Sequence, residues 1–264
     1  MELLQLSFFQ HALCGALLVS LLCAFVGSLM VTRRAVIQAG GIAHASLGGV
    51  GLGAFLGSSP LLGATVFAVL SGWGVQWLGY RRNVRTDAVV AILWTFGMSV
   101  GIVFAYLTPG FATELPAFLF GDILSISAGA LWFSAGLTLV TTLFFLLFRQ
   151  SIVLTAYDRD FALTRGIPVI LLESCLTLLT SLTIVAGLNV VGIVLIIALL
   201  SIPQSTAGLF VRTFGGMVAW SALFGAVCSV GGLLLAFYFD LPAGATIILL
   251  AIAVYLLALL LART

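Results

Sequence analysis

The chain has 264 residues, 62% of them hydrophobic and only 7% charged, with a formal net charge of +2. That leaves too little polar surface to coat a soluble globule, and it implies an integral membrane protein. All ten basic residues are arginines, and without a lysine neither a nucleotide-binding P-loop nor Schiff-base chemistry is encoded, so any nucleotide-driven work needs another chain.

Apolar stretches lie near 11–31, 35–56, 60–79, 88–107, 128–148, 167–187, 190–210, 214–238 and 242–262. Each is close to the roughly 20 residues that a helix needs to cross hydrocarbon. The first is expected to be a span and not a cleaved signal, because its arginines follow the apolar run. The reading is an all-α polytopic membrane helix bundle of eight to nine transmembrane helices, a single transmembrane domain over 1–264 with a short cytoplasmic helix. Eight spans result if the Gly-rich second segment does not cross by itself, or if the break at Gly187–Asn189 is not a turn.

If odd-numbered spans run inward, the arginines all share one side. The inner gaps hold Arg33 and Arg34, then Arg81, Arg82 and Arg85, then Arg149, Arg159 and Arg165, then Arg212, with Arg263 at the C-terminal end. By the positive-inside rule the chain is a multi-pass protein of the inner (plasma) membrane, with its N-terminus outside and its C-terminus cytoplasmic. The charge is therefore explained by topology and not by nucleic acid.

The second segment, RRAVIQAGGIAHASLGGVGLGAFLG (33–57), carries Ala45, Gly49, Gly53 and Gly57 at a spacing of four. Such a ridge of small residues lets another helix backbone approach closely. His44 stands about 100° off it, stacked with Gly40, Gly48 and Gly51, so open space around the imidazole is expected. The ring either lines an ion path as a metal ligand or hydrogen-bonds a neighbouring helix as structural glue. In the outer gap 108–127, Glu114 and Asp122 occur without a basic residue. Asp122 is either a metal candidate at a cation-concentrating mouth or a solvated loop carboxylate.

The longest inner gap, RQSIVLTAYDRDFALTRG (149–166), is unlike the tight turns elsewhere. Asp158 and Asp160 begin a short helix, Phe161, Ala162 and Leu163 give it an apolar patch, and Gly166 before Ile167 and Pro168 stops it. This amphipathic helix lies on membrane lipid or docks on a soluble partner. Glu173, near the inner end of the next span, is a metal candidate or the partner of an inner-loop arginine. Cys14, Cys23, Cys175 and Cys228 show no CxxC spacing and read as core filler. With only His11 and His44, and no hydrolase set, an enzyme is not expected.

Four stretches resemble one family. RRAVIQAGGIAHASLGGVGLG looks like the second-helix signature of the permease subunits of zinc, manganese and iron ABC importers; YDRDFALTRGIPV (157–169) resembles their coupling segment; VVGIVLIIALLSIPQSTAGL (190–209) resembles their Gly-to-Pro helix; and DLPAGATIILL (240–250) resembles their last outer turn. The resemblance implies a homodimeric pore, fed by an extracytoplasmic metal-binding protein and driven by a cytoplasmic ATPase subunit. It implies a transported Zn, Mn or Fe ion and no permanently bound cofactor. It maps the family's ion-path histidine onto His44, and ATPase coupling onto Tyr157, Asp158, Arg159, Asp160, Phe161, Leu163, Arg165 and Gly166. Gly40, Gly49, Gly53, Gly57, Gly192 and Pro203 are expected in helix packing. There is one departure: many members carry an aspartate four residues before the histidine, where this chain has Gly40. An ABC importer of an organic cofactor or metal chelate, and a non-ABC carrier or scaffold, are the alternatives.

Overall fold

The computed structural model describes residues 7–81, 85–110, 118–119, 121, 123 and 126–262. In chain order its helices are α1 (Ser7–Thr32), α2 (Val36–Phe55), α3 (Pro60–Arg81), α4 (Thr86–Leu107), α5 (Ala128–Leu147), α6 (Arg149–Tyr157), α7 (Arg159–Thr164), α8 (Val169–Leu199), α9 (Ile202–Phe210), α10 (Phe214–Phe239) and α11 (Ala243–Leu261). No strand occurs among the described residues. The molecule is an all-α polytopic bundle.

Seven segments are long and apolar enough to cross a membrane: α1, α3, α4, α5, the run Val169–Phe210, α10 and α11. Hydropathy along the sequence predicts eight to nine, and two places account for the difference. α2, at 20 residues, is long enough to cross, but glycines, Gln38, His44 and Ser46 dilute its apolarity. It packs between α3 and α4, and a helix wrapped by protein need not satisfy lipid. The run Val169–Phe210 counts as one 42-residue segment, yet Gly192 within it has φ 81 and ψ 169, a conformation essentially confined to glycine. A Cβ on Gly187 would strike Ile196, although a straight helix would hold residues nine apart at about 13 Å. The chain therefore folds back at Gly192, and this residue serves as a turn.

Two packing styles build the bundle. α1 and the second half of α8 form a core of large aliphatics, with Leu22, Leu29, Ile193, Ile196, Leu199 and Leu200 all buried. Ser20 and Ser229 share a 2.8 Å hydrogen bond that pins α1 to α10, and Gln204 Nε2 donates to Cys23 O at 2.7 Å to tie α9 to α1. Pro203, also buried, opens α9. Around α2 the contacts are backbone on backbone. A Cβ on Gly49 would strike Gly63 O, one on Gly51 would strike Gly101 O, and one on Gly97 would lie 2.5 Å from Ala45 O.

Two further packing assignments need correction. Gly57 packs on nothing within 4 Å and has φ 67. It ends α2 in a Schellman turn, where Gly57 N donates to Ala54 O at 3.1 Å and Ser58 N to Gly53 O at 2.9 Å. At Gly40 an added Cβ would find only Ile197 Cδ1, 4.0 Å away, so this glycine leaves room instead of closing a contact.

The most exposed aromatics among the described residues, Tyr106 at 83%, Tyr238 at 82% and Trp132 at 80%, sit at ends of α4, α10 and α5 that the arginine pattern assigns to the outer face. Amphipathic rings concentrate at that depth, where one edge meets lipid and the other water.

Candidate ion path and coupling helix

His44 stands in the middle of α2, and the glycines beside it decide what it meets. Gly41 lies against Val90, and Gly48 against Phe67 and Gly97, which brings α2 close enough to α4 for ring contact. The imidazole stacks on Trp94 with centroids 4.4 Å apart and planes 6° from parallel. Trp94 Nε1 in turn donates to Met98 Sδ at 2.9 Å, one turn along α4. The ring is half-buried, and its Nδ1 is buried with no hydrogen-bond partner among the described residues. A histidine serving as glue should bond its neighbour, and leaving a buried polar atom unpaired costs about 1–3 kcal/mol. Among the described residues, Nδ1 does not make the bond that the glue reading needs. Trp94 was not visible as a site residue in the sequence, since a tryptophan on an apolar helix carries no motif.

No group of three or more His, Cys, Asp or Glu side chains able to hold a metal occurs among the described residues. The His44 imidazole has an open position one turn earlier at Gly40. Asp122 lies outside the described residues.

Glu173 requires a different reading from that of a metal ligand. It is 4% exposed, with Oε1 accepting from Arg33 Nη2 at 2.8 Å and Oε2 3.5 Å from Arg159 Nε. The three line a cavity of 370 Å3 together with Gln38, Gln76 and Thr177. Two guanidiniums against one carboxylate make that cavity repellent to a cation.

The inner gap holds two short helices. Asp158 accepts from Phe161 N at 2.9 Å and so caps α7, as its position in the sequence suggests. Gly166, at φ 73, closes the segment. Ala162 is fully buried and anchors α7, whereas Tyr157, Phe161 and Leu163 are exposed, and the Arg165 guanidinium lies 5.1 Å from the Phe161 ring centroid. Asp160 and Arg165 are exposed as well. The eight residues therefore divide: Asp158, Arg159 and Gly166 hold the helix in place, and Tyr157, Asp160, Phe161, Leu163 and Arg165 form its outward edge.

A family model described as the ABC 3 transport family matches residues 5–262. The manganese transport system membrane protein MntC of Halalkalibacterium halodurans is 33% identical over 97% of this chain and 88% of its own. The high-affinity zinc uptake system membrane protein ZnuB of Haemophilus influenzae is 30% identical over 94% of this chain and 95% of its own. Among solved structures, PsaBC from Streptococcus pneumoniae in complex with Fab superposes with a TM-score of 0.87 at 29% identity, covering 97% of this chain and 93% of that one.

Proposed function

Because the chain belongs to the ABC 3 transport family, we propose that it is the membrane permease subunit of an ABC importer that carries divalent transition-metal ions into the cytoplasm. The observation that carries this is the alignment, over nearly the whole chain, with manganese and zinc permeases. A chelate importer and a secondary carrier are set aside on the same ground. The chain moves an ion and catalyses no bond change itself. ATP hydrolysis belongs to a cytoplasmic partner docked on the outward edge of α7, and an extracytoplasmic metal-binding protein delivers the ion.

His44 is the ion-path residue in this reading. The neutral imidazole suits Zn2+, Fe2+ and other transition ions better than Ca2+ or Mg2+. In a homodimer two such rings would supply two nitrogens to one ion in passage. The unpartnered Nδ1 supports this role, since an ion would pair a polar atom that the fold leaves unpaired. The arginine pattern supports an outer N-terminus and an inner C-terminus.

The test is uptake of radiolabelled Mn2+, Zn2+ and Fe2+ into proteoliposomes that hold the complex of this chain with its ATPase and binding protein. His44→Ala should lower uptake by about tenfold or more, a typical loss when a metal site is weakened, with assembly intact because the side chain is half-buried. Wild-type rates in that variant would remove His44 from the path. If the wild-type complex moves none of the three ions, the function itself is wrong.

A further inference from the structure

We propose that Glu173 is the joint through which the ATPase-facing helix α7 moves α2, the helix that carries His44. This rests on the importer reading above and adds a device that transmits the stroke.

Three separate parts of the chain meet on this one carboxylate. Glu173 lies one turn into α8, Arg33 lies in the short connection between α1 and α2, and Arg159 is the first residue of α7. The Arg33 contact is 2.8 Å and the Arg159 contact 3.5 Å. By packing alone, α7 rests on α6 and on the base of α8. Two ion pairs on Glu173 join it to the root of α2.

What lies beyond Arg33 is stiff. The connection between α1 and α2 is a tight turn in which Arg34 has φ 55, and Ala35 N donates to Met30 O at 2.8 Å. α2 is then locked to α3 and α4 by glycines whose missing Cβ atoms let backbone touch backbone. A displacement of Arg33 must therefore carry the α2–α3–α4 group with it. His44, eleven residues on, lies about 16 Å along the helix.

The joint itself has room to work. It forms one wall of the 370 Å3 cavity, so the side chains can lengthen or exchange contacts without repacking a core. A buried ion pair is weak evidence for stability, because desolvation offsets its attraction. Its value here is positional. The longer Arg159 contact yields first when α7 is pulled, while the shorter Arg33 contact holds, and this changes the force on the root of α2.

The test uses the full complex of this chain with its ATPase and metal-binding protein in proteoliposomes, with ATP hydrolysis and Mn2+ or Zn2+ uptake read on one sample. Glu173→Gln keeps the shape and removes the charge. It should leave hydrolysis within about twofold of wild type and cut ions carried per ATP by about tenfold, a mid-range coupling free energy. Glu173→Asp, which restores the charge, should recover at least about half of that ratio on the same scale. Arg159→Gln, at the cavity edge, should lower the ratio in the same direction with the Arg33 pair intact. The joint is overturned if ions per ATP stay at the wild-type value in Glu173→Gln or in Arg159→Gln. It is equally overturned if hydrolysis, uptake and complex yield all fall in proportion, which is what a purely structural residue would do. A wild-type complex that hydrolyses ATP and moves neither ion overturns the importer reading, and the joint with it.

Discussion

The α2–α3–α4 group and the α1–α5–α8 group hold their helices together by different means. In the first, the atom facing a glycine is mostly backbone: Gly63 O for Gly49, Gly101 O for Gly51, Leu47 O for Gly101, with Gly41 against Val90 Cγ1 and Gly48 against Phe67 Cε1 as the exceptions. In the second, it is mostly the end of a side chain: Ile126 Cδ1 at 2.7 Å for Gly15, and Ile196 for Gly187, with Gly27 against Leu200 O as the exception. Lipid is as apolar as leucine, so helices in a bilayer associate by close contact and not by escaping water. The first group uses that contact at its limit and is expected to move as one piece. The second can adjust, because a methyl group rotates away where a carbonyl cannot.

The largest effect should come from breaking the backbone contact. Gly51→Val would drive its side chain into Gly101 O, where neither helix can yield without parting. It should abolish the monodisperse peak on size-exclusion chromatography in detergent. Gly15→Ala, which meets only movable side-chain atoms, should cost about 1–3 kcal/mol, the usual overpacking penalty, and stay folded with a lowered Tm. If both variants behave alike, the contrast between the two groups is false.

That contrast was only half legible in the sequence. The four-residue spacing of Ala45, Gly49, Gly53 and Gly57 showed a packing helix, but not that it is wedged between two neighbours. Gly49 and Gly53 face α3, whereas Ala45, Gly48 and Gly51 face α4, and periodicity alone cannot divide one stripe between two partners. Gly57 and Gly192 belong to the same composition yet act through positive φ, which spacing does not encode. Glu173 was readable as a metal candidate or as the partner of an inner-loop arginine. Its partner Arg33 is 140 positions away, beyond the reach of any local pattern. What the sequence did locate well was local: the Asp158 cap, the Gly166 stop and the lone histidine of α2.

The next effect is intermediate and falls outside both groups, on the helix that addresses them. Phe161 is exposed while its neighbour Ala162 is buried, so Phe161→Ala should leave Tm unchanged. An aromatic anchor at the centre of an interface is worth about 2 kcal/mol, or about 30-fold in affinity. Co-purification of the ATPase with this variant, and metal-stimulated hydrolysis, should fall accordingly. Unchanged values for both would return α7 to the lipid surface.

A small effect on the fold should come from Gly40→Asp, at a place where α2 is not pressed against backbone. The added Cβ would lie 4.0 Å from Ile197 Cδ1, an ordinary contact, so the helix need not move. Residues at i and i+4 share a helix face, and the new carboxylate together with His44 would give an ion an oxygen and a nitrogen where the natural chain gives it the nitrogen alone. A carboxylate placed there without a cation is costly, and the variant should therefore melt below wild type when chelator is present. Added Mn2+ should restore the difference, because a ligand that binds only the folded state raises its stability by mass action. Uptake should slow in the same measure, since an ion held more tightly leaves more slowly. A variant that melts low and ignores Mn2+ would mean that position 40 does not share a cation with His44, and one that fails to fold like Gly51→Val would mean that the space beside Ile197 is not there.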